Sequence, residues 1–366
     1  KEDQANAILG NCTALLIAGF GLRDSLHAIF TLQYDELTTY DAQVSLTDDA
    51  TAEDLSAIGE ALDSMELVED WSLTSTVTIS VESEARSMDS YTYLFAVTDP
   101  DSFSSFVTLR DRSTGQSVSL PDDGAVITEK LARLLDVEVG DTVTIVDADN
   151  TRTDVTVAGI TENYIMHYVY LSHEAYTAIY GQEPPVNSIM LHYTGDTEDV
   201  ADTVSAALIP LSGVSSVSRT TTLRDQVSRG LEGVDYAVVV IVFAAAALAF
   251  VVLYNLTNIN ITERLRELAT LKVLGFQDKE LFAYVYRESI VLTILGILLG
   301  LVLGKLLHLW LVQTVEIDMA MFGRDIEPVS YLFSVALTAV FSILVSLAAR
   351  RRLRKIDMVE SLKTVE

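Results

Sequence analysis

Histidine, cysteine and carboxylate side chains are the material of catalytic and metal sites, and along this sequence they do not assemble into a recognised frame. His167 and His173 are separated by strand-like residues, and neither lies in the H-E-x-x-H spacing that sets two imidazoles on one helical face. Asp147-Ala148-Asp149-Asn150 begins like a calcium loop, but the glycine and the closing glutamate at the required offsets are missing, so it reads as a hairpin turn. Asp122-Asp123-Gly124 is likewise a turn signal. The chain has no G-x-S-x-G elbow, and no G-x-x-x-x-G-K-[ST] loop to cradle a nucleotide phosphate. If ATP drives its function, a separate chain must hydrolyse it. Cys12 is the sole cysteine, which excludes an intrachain disulfide. No enzymatic activity, metal, cofactor or nucleic-acid partner is therefore expected of this chain.

The most specific pattern is mechanical rather than catalytic. Asn255 to Phe276 contains a short amphipathic helix in which Leu265, Leu268, Leu271 and Leu274 form an apolar stripe. Glu263, Arg264, Glu267 and Lys272 surround that stripe, and Arg266 adds a further charge. Gly275 fits the left-handed position that ends a helix, and Asp278 is placed to cap the next one. Such a helix can seat on a partner protein or simply lie on lipid headgroups.

The elements that must position this segment are membrane spans. The chain is 49% hydrophobic yet carries a net charge of −28, and the two properties occupy different regions. Up to Asp235 there are 40 acidic and 11 basic residues (net −29); from Tyr236 onward there are 12 and 13 (net +1). Crossing a bilayer takes about 20 apolar residues. Uncharged runs of about 27 residues from Tyr236 to Thr262 and about 22 from Pro328 to Ala349 meet that length. A run of about 16 between Glu288 and Lys305 is extended by Leu306 to Val312 once Lys305 snorkels. The first run, Gln4 to Leu22, carries Asn6, Asn11 and Thr13, and a cleavable signal peptide is its rival reading. The mixed charge of Lys1-Glu2-Asp3 argues for a retained helix, and for a natural N-terminus trimmed from this sequence. Arg350-Arg351-Arg352 with Arg354 and Lys355 places the C-terminus in the cytoplasm, as Arg264, Arg266, Lys272 and Lys279 do for the loop after the second span. The acidic region between the first two spans then lies outside. Its charge serves solvation of an exposed domain, and can also attract cationic ligands. Gly296, Gly300 and Gly304 line one face of the third span and admit a close neighbour, either within the chain or in a second copy. Ala244 to Ala247 and Ala249 on the second span offer a partner surface.

The predicted fold is therefore α-helical transmembrane, with four spans and an α+β extracytoplasmic domain. Residues 1–40 form the first span and a stalk, 41–222 the outer domain, and 223–366 a second stalk with three spans, the cytoplasmic helix and the basic tail. In the outer domain, Asp41 to Leu46 and Trp71 to Val81 alternate like strands around a helix at Glu53 to Met65. The order returns with Asn187 to Tyr193, a helix over Thr197 to Leu211, and Val214 to Thr222. These two β-α-β units flank an insertion at about 121–180. It holds a helix from Thr128 to Leu135 and strands at Val143 to Val146, Asp154 to Ile160 and Tyr168 to Leu171, and reads as a small β-rich subdomain. Both membrane junctions lack a helix breaker, so paired helical stalks are expected.

The pattern around Asn258, Ile261, Arg264, Arg266, Glu267, Ala269, Leu271, Lys272, Leu274, Gly275 and Phe276, with Glu263 before it, resembles the signature of FtsX-like permeases, the family that includes MacB. Glu288 and Arg354-Lys355-Ile356 through Leu362 are similar to further family features. Pro121 to Lys130, Val139-Gly140-Asp141 and Val157 to Ile160 resemble its MacB-like periplasmic core. The resemblance implies porter-like β-α-β units, a coupling helix formed by Glu263 to Gly275, and a separate ABC-type ATPase subunit that binds ATP and Mg. It implies a second permease half in the bacterial cell membrane, as a homodimer, heterodimer or tandem copy. The function implied is export or extraction of a hydrophobic or peptidic substrate by mechanotransmission. The alternative is a non-transporting relay that regulates a cell-wall hydrolase or senses antimicrobial peptides. The basic flank expected before the first span is not present, which would fit the second half of a larger permease.

Overall fold

Long uncharged runs form helices because no backbone group in hydrocarbon can go without an internal hydrogen bond. In the computed structural model, which describes residues 2–353 apart from 90, 99, 196–197, 264–269 and 272–273, four long helices hold these runs. They are α1 (Glu2–Phe30), α7 (Thr220–Glu263), α8 (Asp278–Val315) and α9 (Pro328–Leu353). Among the described residues, three stretches are long and apolar enough to cross a membrane: Gly10–Leu37, Thr293–Val315 and Pro328–Val345. The corresponding stretch described in α7 is shorter, Tyr236–Leu248.

The chain divides into two units. A helical unit comprises Lys1–Leu26, Leu231–Val315 and Gly323–Glu366; a sheet unit comprises His27–Gly230 and Glu316–Phe322. The short stretch Glu316–Phe322 between α8 and α9 thus belongs to the sheet unit although its flanks do not.

Among the described residues, the sheet unit holds eleven strands in the order β11-β1-β10-β2-β5-β9-β6-β8-β7-β3-β4. Its first four positions are two interlocked β-α-β units. β1 (Ala42–Leu46), α2 (Ala52–Ser64) and β2 (Val68–Thr78) form one; β10 (Ser188–Tyr193), α6 (Glu198–Leu208) and β11 (Val214–Arg219) form the other. Each unit leaves a gap between its strands, and an antiparallel strand of the other unit fills it. The alternation in β1 buries Ala42, Val44 and Leu46 against Ile58 and Leu62 of α2 and Val204 and Leu208 of α6. Burying each valine, leucine or isoleucine among them contributes about 1.5–3 kcal/mol. Thr51 starts α2 with a reciprocal capping box, accepting from the Asp54 amide while the Asp54 carboxylate accepts from its own.

The expected strand at Val214 to Thr222 stops at Arg219, because Thr220 already opens α7. The segment expected as an inserted subdomain contains β6 (Ala125–Thr128), α4 (Glu129–Leu135), β7 (Thr142–Val146), β8 (Arg152–Thr161), β9 (His167–Leu171) and α5 (His173–Tyr180). It is not closed on itself. β9 runs parallel to β5 (Thr92–Val97), and β7 pairs with β3 (Ser80–Glu82), which carries β4 (Ser87–Met88) at the edge. A helix α3 (Pro100–Phe106) follows β5.

Both stalks are helical. α1 continues as a π-helical turn over Thr31–Leu37, and α7 runs on from β11 without a break. The two stalks meet the sheet at neighbouring strands. The Thr220 amide donates to the Asp41 carbonyl at 2.9 Å and its hydroxyl to the Tyr40 carbonyl at 2.7 Å, while Arg224 pairs with Asp35 at 2.7 Å.

Candidate functional site

Of the predicted coupling segment, Glu263 is the last residue of α7. Arg264, Leu265, Arg266, Glu267, Leu268 and Lys272 lie outside the described residues. Thr270 and Leu271 are helical. Gly275 adopts φ +97°, and the Phe276 amide reaches back to the Leu271 carbonyl at 3.2 Å. That six-to-one bond over a left-handed residue is a Schellman stop. A Cβ on Gly275 would meet nothing within 4 Å, so the backbone sign, not room, calls for glycine. On either side of Gly275, Leu274 is 70% exposed and Phe276 47%. α8 begins at Asp278, and the Glu280 carboxylate accepts from the Gln277 amide at 2.9 Å. The cap position is therefore Gln277, one residue before the Asp278 assigned to it by sequence.

Among the described residues, the nearest neighbour of the glycine face of α8 is α1. A Cβ on Gly300 would lie 2.5 Å from Thr13 Cβ and 2.8 Å from the Gly10 carbonyl oxygen; one on Gly304 would lie 2.8 Å from Ile17 Cβ. Across from Gly296, a Cβ on Gly10 would lie 3.5 Å from its carbonyl oxygen. Small residues on one helix admit any close neighbour, and α1 brings Gly10, Thr13, Ala14 and Ile17 to this face. Hydroxyl and imidazole groups join the same bundle. Thr13 Oγ1 lies 3.2 Å from Thr338 Oγ1, Ser25 Oγ 2.8 Å from His308 Nε2, and Thr293 Oγ1 3.0 Å from Ser342 Oγ. Such contacts between spans contribute about 0.6 kcal/mol on average.

A second constellation, not singled out in the sequence, lies in the sheet unit. Glu316 is nearly buried and ion-paired to Lys130 Nζ at 3.0 Å and Arg133 Nη1 at 3.6 Å, both on α4. Glu162, also buried, accepts from Arg110 Nε at 2.6 Å and from the Tyr164 hydroxyl. Burial and the Glu162 carboxylate push the Tyr164 phenol well above its usual range, so it remains a donor. Buried charge that is paired on several sides is costly to break, which marks these residues as structural anchors.

The two histidines considered as metal ligands are not brought together. His167 opens β9 and is fully buried; its burial holds the imidazole pKa below the ordinary value. His173 opens α5 and pairs with Glu183 at 2.8 Å. Among the described residues no group of three or more His, Cys, Asp or Glu could hold a metal ion. Asp147 does close a turn, its carboxylate accepting from the amides of Asp149 and Thr151. A cavity of about 200 Å³ opens beside α6 and the start of α7, lined by Asp41, Tyr193, Glu198, Arg219 and Asp225.

The model of the FtsX-like permease C-terminal region matches residues 239–358, and that of the MacB-like periplasmic core domain matches residues 9–211. No curated protein sequence matches the chain. Two solved structures are similar. The periplasmic region of MacB from Actinobacillus actinomycetemcomitans is 11% identical, with 52% of this chain and 94% of that one covered and a TM-score of 0.34. The extracellular domain of the noncanonic ABC-type transporter YknZ from Gram-positive bacteria is 12% identical, with 50% and 100% covered and a TM-score of 0.33. With the core-domain model spanning more than half of the sequence and the permease model following it, the chain belongs to the MacB/FtsX-like family of ABC transporter permeases.

Proposed function

We propose that this chain is a permease subunit through which a separate ABC-type ATPase moves an extracytoplasmic domain, exporting or extracting a hydrophobic or peptidic substrate by mechanotransmission. The observation that carries the reading is the junction of α7 and α8. Helices of 44 and 38 residues flank a segment whose described end stops on a left-handed glycine and leaves Leu274 and Phe276 exposed. An uncovered apolar tip at the end of two long helices is suited to receive a partner's push. In this reading α7 supplies the fourth span, extending from Tyr236–Leu248, and the chain sits in the cell membrane with its basic C-terminus in the cytoplasm. Two permease halves work together, and ATP and Mg belong to the partner.

The test is ATP hydrolysis by the protein purified from its native membranes with whatever accompanies it. A co-purifying P-loop ATPase is expected, stimulated by the permease and no longer stimulated when Leu268→Asp or Gly275→Val is introduced. At Gly275 the added Cβ costs about 1–2 kcal/mol in the left-handed region, which is enough to move the stop. An intact dimeric preparation with neither ATPase nor hydrolysis would overturn the proposal and favour the non-transporting relay.

A further inference from the structure

Two segments that continue into spans converge on residues 162–166, the connection between β8 and β9. The first is the π-helical turn at the end of α1. Its Gln33 is buried, and Gln33 Oε1 accepts from the amides of Tyr164 at 2.8 Å and Ile165 at 3.2 Å. The second is Glu316–Phe322, the first part of the linker between α8 and α9. It lies antiparallel to the same residues: the Met166 amide donates to the Met319 carbonyl at 2.8 Å, the Met321 amide to the Tyr164 carbonyl at 2.9 Å, and Ile165 stands opposite Ala320.

Connections between helices ordinarily run over the surface. This one buries Met321 and Phe322, at 1% and 7% exposure. It is also pinned by a charge. One oxygen of Glu316 faces Lys130 and Arg133; the other accepts from the Phe322 amide at 2.8 Å and closes the linker on itself. A buried ion pair adds little stability over an apolar pair of the same size, and its best-attested use is to fix register. The register fixed here is that of the linker on the 162–166 segment.

We infer that Glu316 is a positioning residue that keeps the α8–α9 linker docked on the sheet unit throughout the ATP cycle, so that 162–166 receives the displacement of α1 and of the linker at one point. The inference rests on the proposed function and extends it. It assigns a task to a charge cluster that the coupling segment does not explain. The coupling is a fixed strut, not a latch.

The experiment uses the full chain assembled with its ATPase in lipid nanodiscs. Ile165 and Ala320 form a non-hydrogen-bonded antiparallel pair, a class with Cα atoms about 4.5 Å apart and within disulfide reach. Ile165→Cys with Ala320→Cys, in a Cys12→Ser background, is expected to cross-link and to retain permease-stimulated hydrolysis. Hydrolysis lost on oxidation and restored by reductant would overturn the inference, since the linker would then have to leave. Glu316→Lys is expected to speed hydrogen exchange at the Met166 and Met321 amides on the order of a hundredfold and to abolish stimulation. Cross-linking the Glu316→Lys protein is expected to restore stimulation, which a general folding defect would not allow. Unchanged exchange in Glu316→Lys, or no rescue by the cross-link, would also overturn it. If the unmodified complex shows no stimulated hydrolysis, the proposed function fails instead, and the exchange measurement alone decides whether Glu316 holds the linker.

Discussion

The first and last of the three long apolar stretches, Gly10–Leu37 and Pro328–Val345, meet the rest of the chain differently. In α1, 56% of the most apolar stretch is buried within the protein; in α9 the share is 22%. Of the residues that dilute the apolar character of α1, Gly10, Thr13 and Ser25 touch α8 and α9, while Asn11 is exposed. A helix face that meets protein can carry glycine and hydroxyl groups, whereas a face that meets lipid cannot present an unsatisfied group. Part of the weak hydropathy of α1 is thus a consequence of its packing.

The strongest way to break this comparison is Gly300→Leu. Thr13 Cβ and the Gly10 carbonyl oxygen stand closer than contact distance to where any Cβ at position 300 must go, so the leucine has to separate α1 from α8, at about 3 kcal/mol or more. Leu298, 56% exposed on the same helix, should accept alanine within about 0.5 kcal/mol. Thermal unfolding of both variants in detergent checks the contrast, and equal losses would refute it. Gly21→Ala should cost an intermediate amount, about 1–2 kcal/mol, because its methyl would lie 2.7 Å from the His308 ring and 2.9 Å from Ile326. Thr338→Val removes the hydroxyl contact with Thr13 and should cost about 0.6 kcal/mol by the same measurement.

The smallest effect extends the comparison to the sheet unit, where titration enters. Burial lowers the pKa of His167 in the fold, so its contribution is complete above the unfolded value of about 6.5 and is lost as pH falls toward the folded one. His192 runs the other way. Its contact with Asp41 raises its pKa, so its contribution is present below about 6.5 and is lost as pH rises through the folded value. His167→Asn should therefore flatten the acid side of a plot of unfolding temperature against pH, and His192→Asn the alkaline side. Indistinguishable profiles would show that neither ring is held as described.

Much of the sheet unit was legible because its periodicity is local. Ala42, Val44 and Leu46 alternate, Ile58 and Leu62 recur at helical spacing, and the two β-α-β units announce themselves twice. The run Thr92–Val97 was missed because four consecutive buried residues, Leu94 to Val97, show no alternation. The identity of the helix beside Gly300 was not readable, since a small-residue face names no partner. The docked linker was least accessible of all. Its pairing with 164–166 is non-local and only a few residues long, and the available signal was the apolar trio Met319, Met321 and Phe322 in a loop that had no other reason to be apolar. Of the coupling segment, the glycine stop was legible from one residue type, because few residues other than glycine adopt its φ readily.

The chain enters β1 and leaves β11 at the same end of that antiparallel pair, where Ala42 faces Arg219. A force that pulls both stalks the same way therefore puts no load across the ladder between them. A force that spreads them opens it like a zipper, one rung at a time from Ala42, which is the weakest way to load a pair of strands. The Thr220 bonds to Asp41 and Tyr40 stand at the mouth of that zipper. Joint travel of the two stalks is the load this pair of strands bears without opening, and their parting is the load that opens it first.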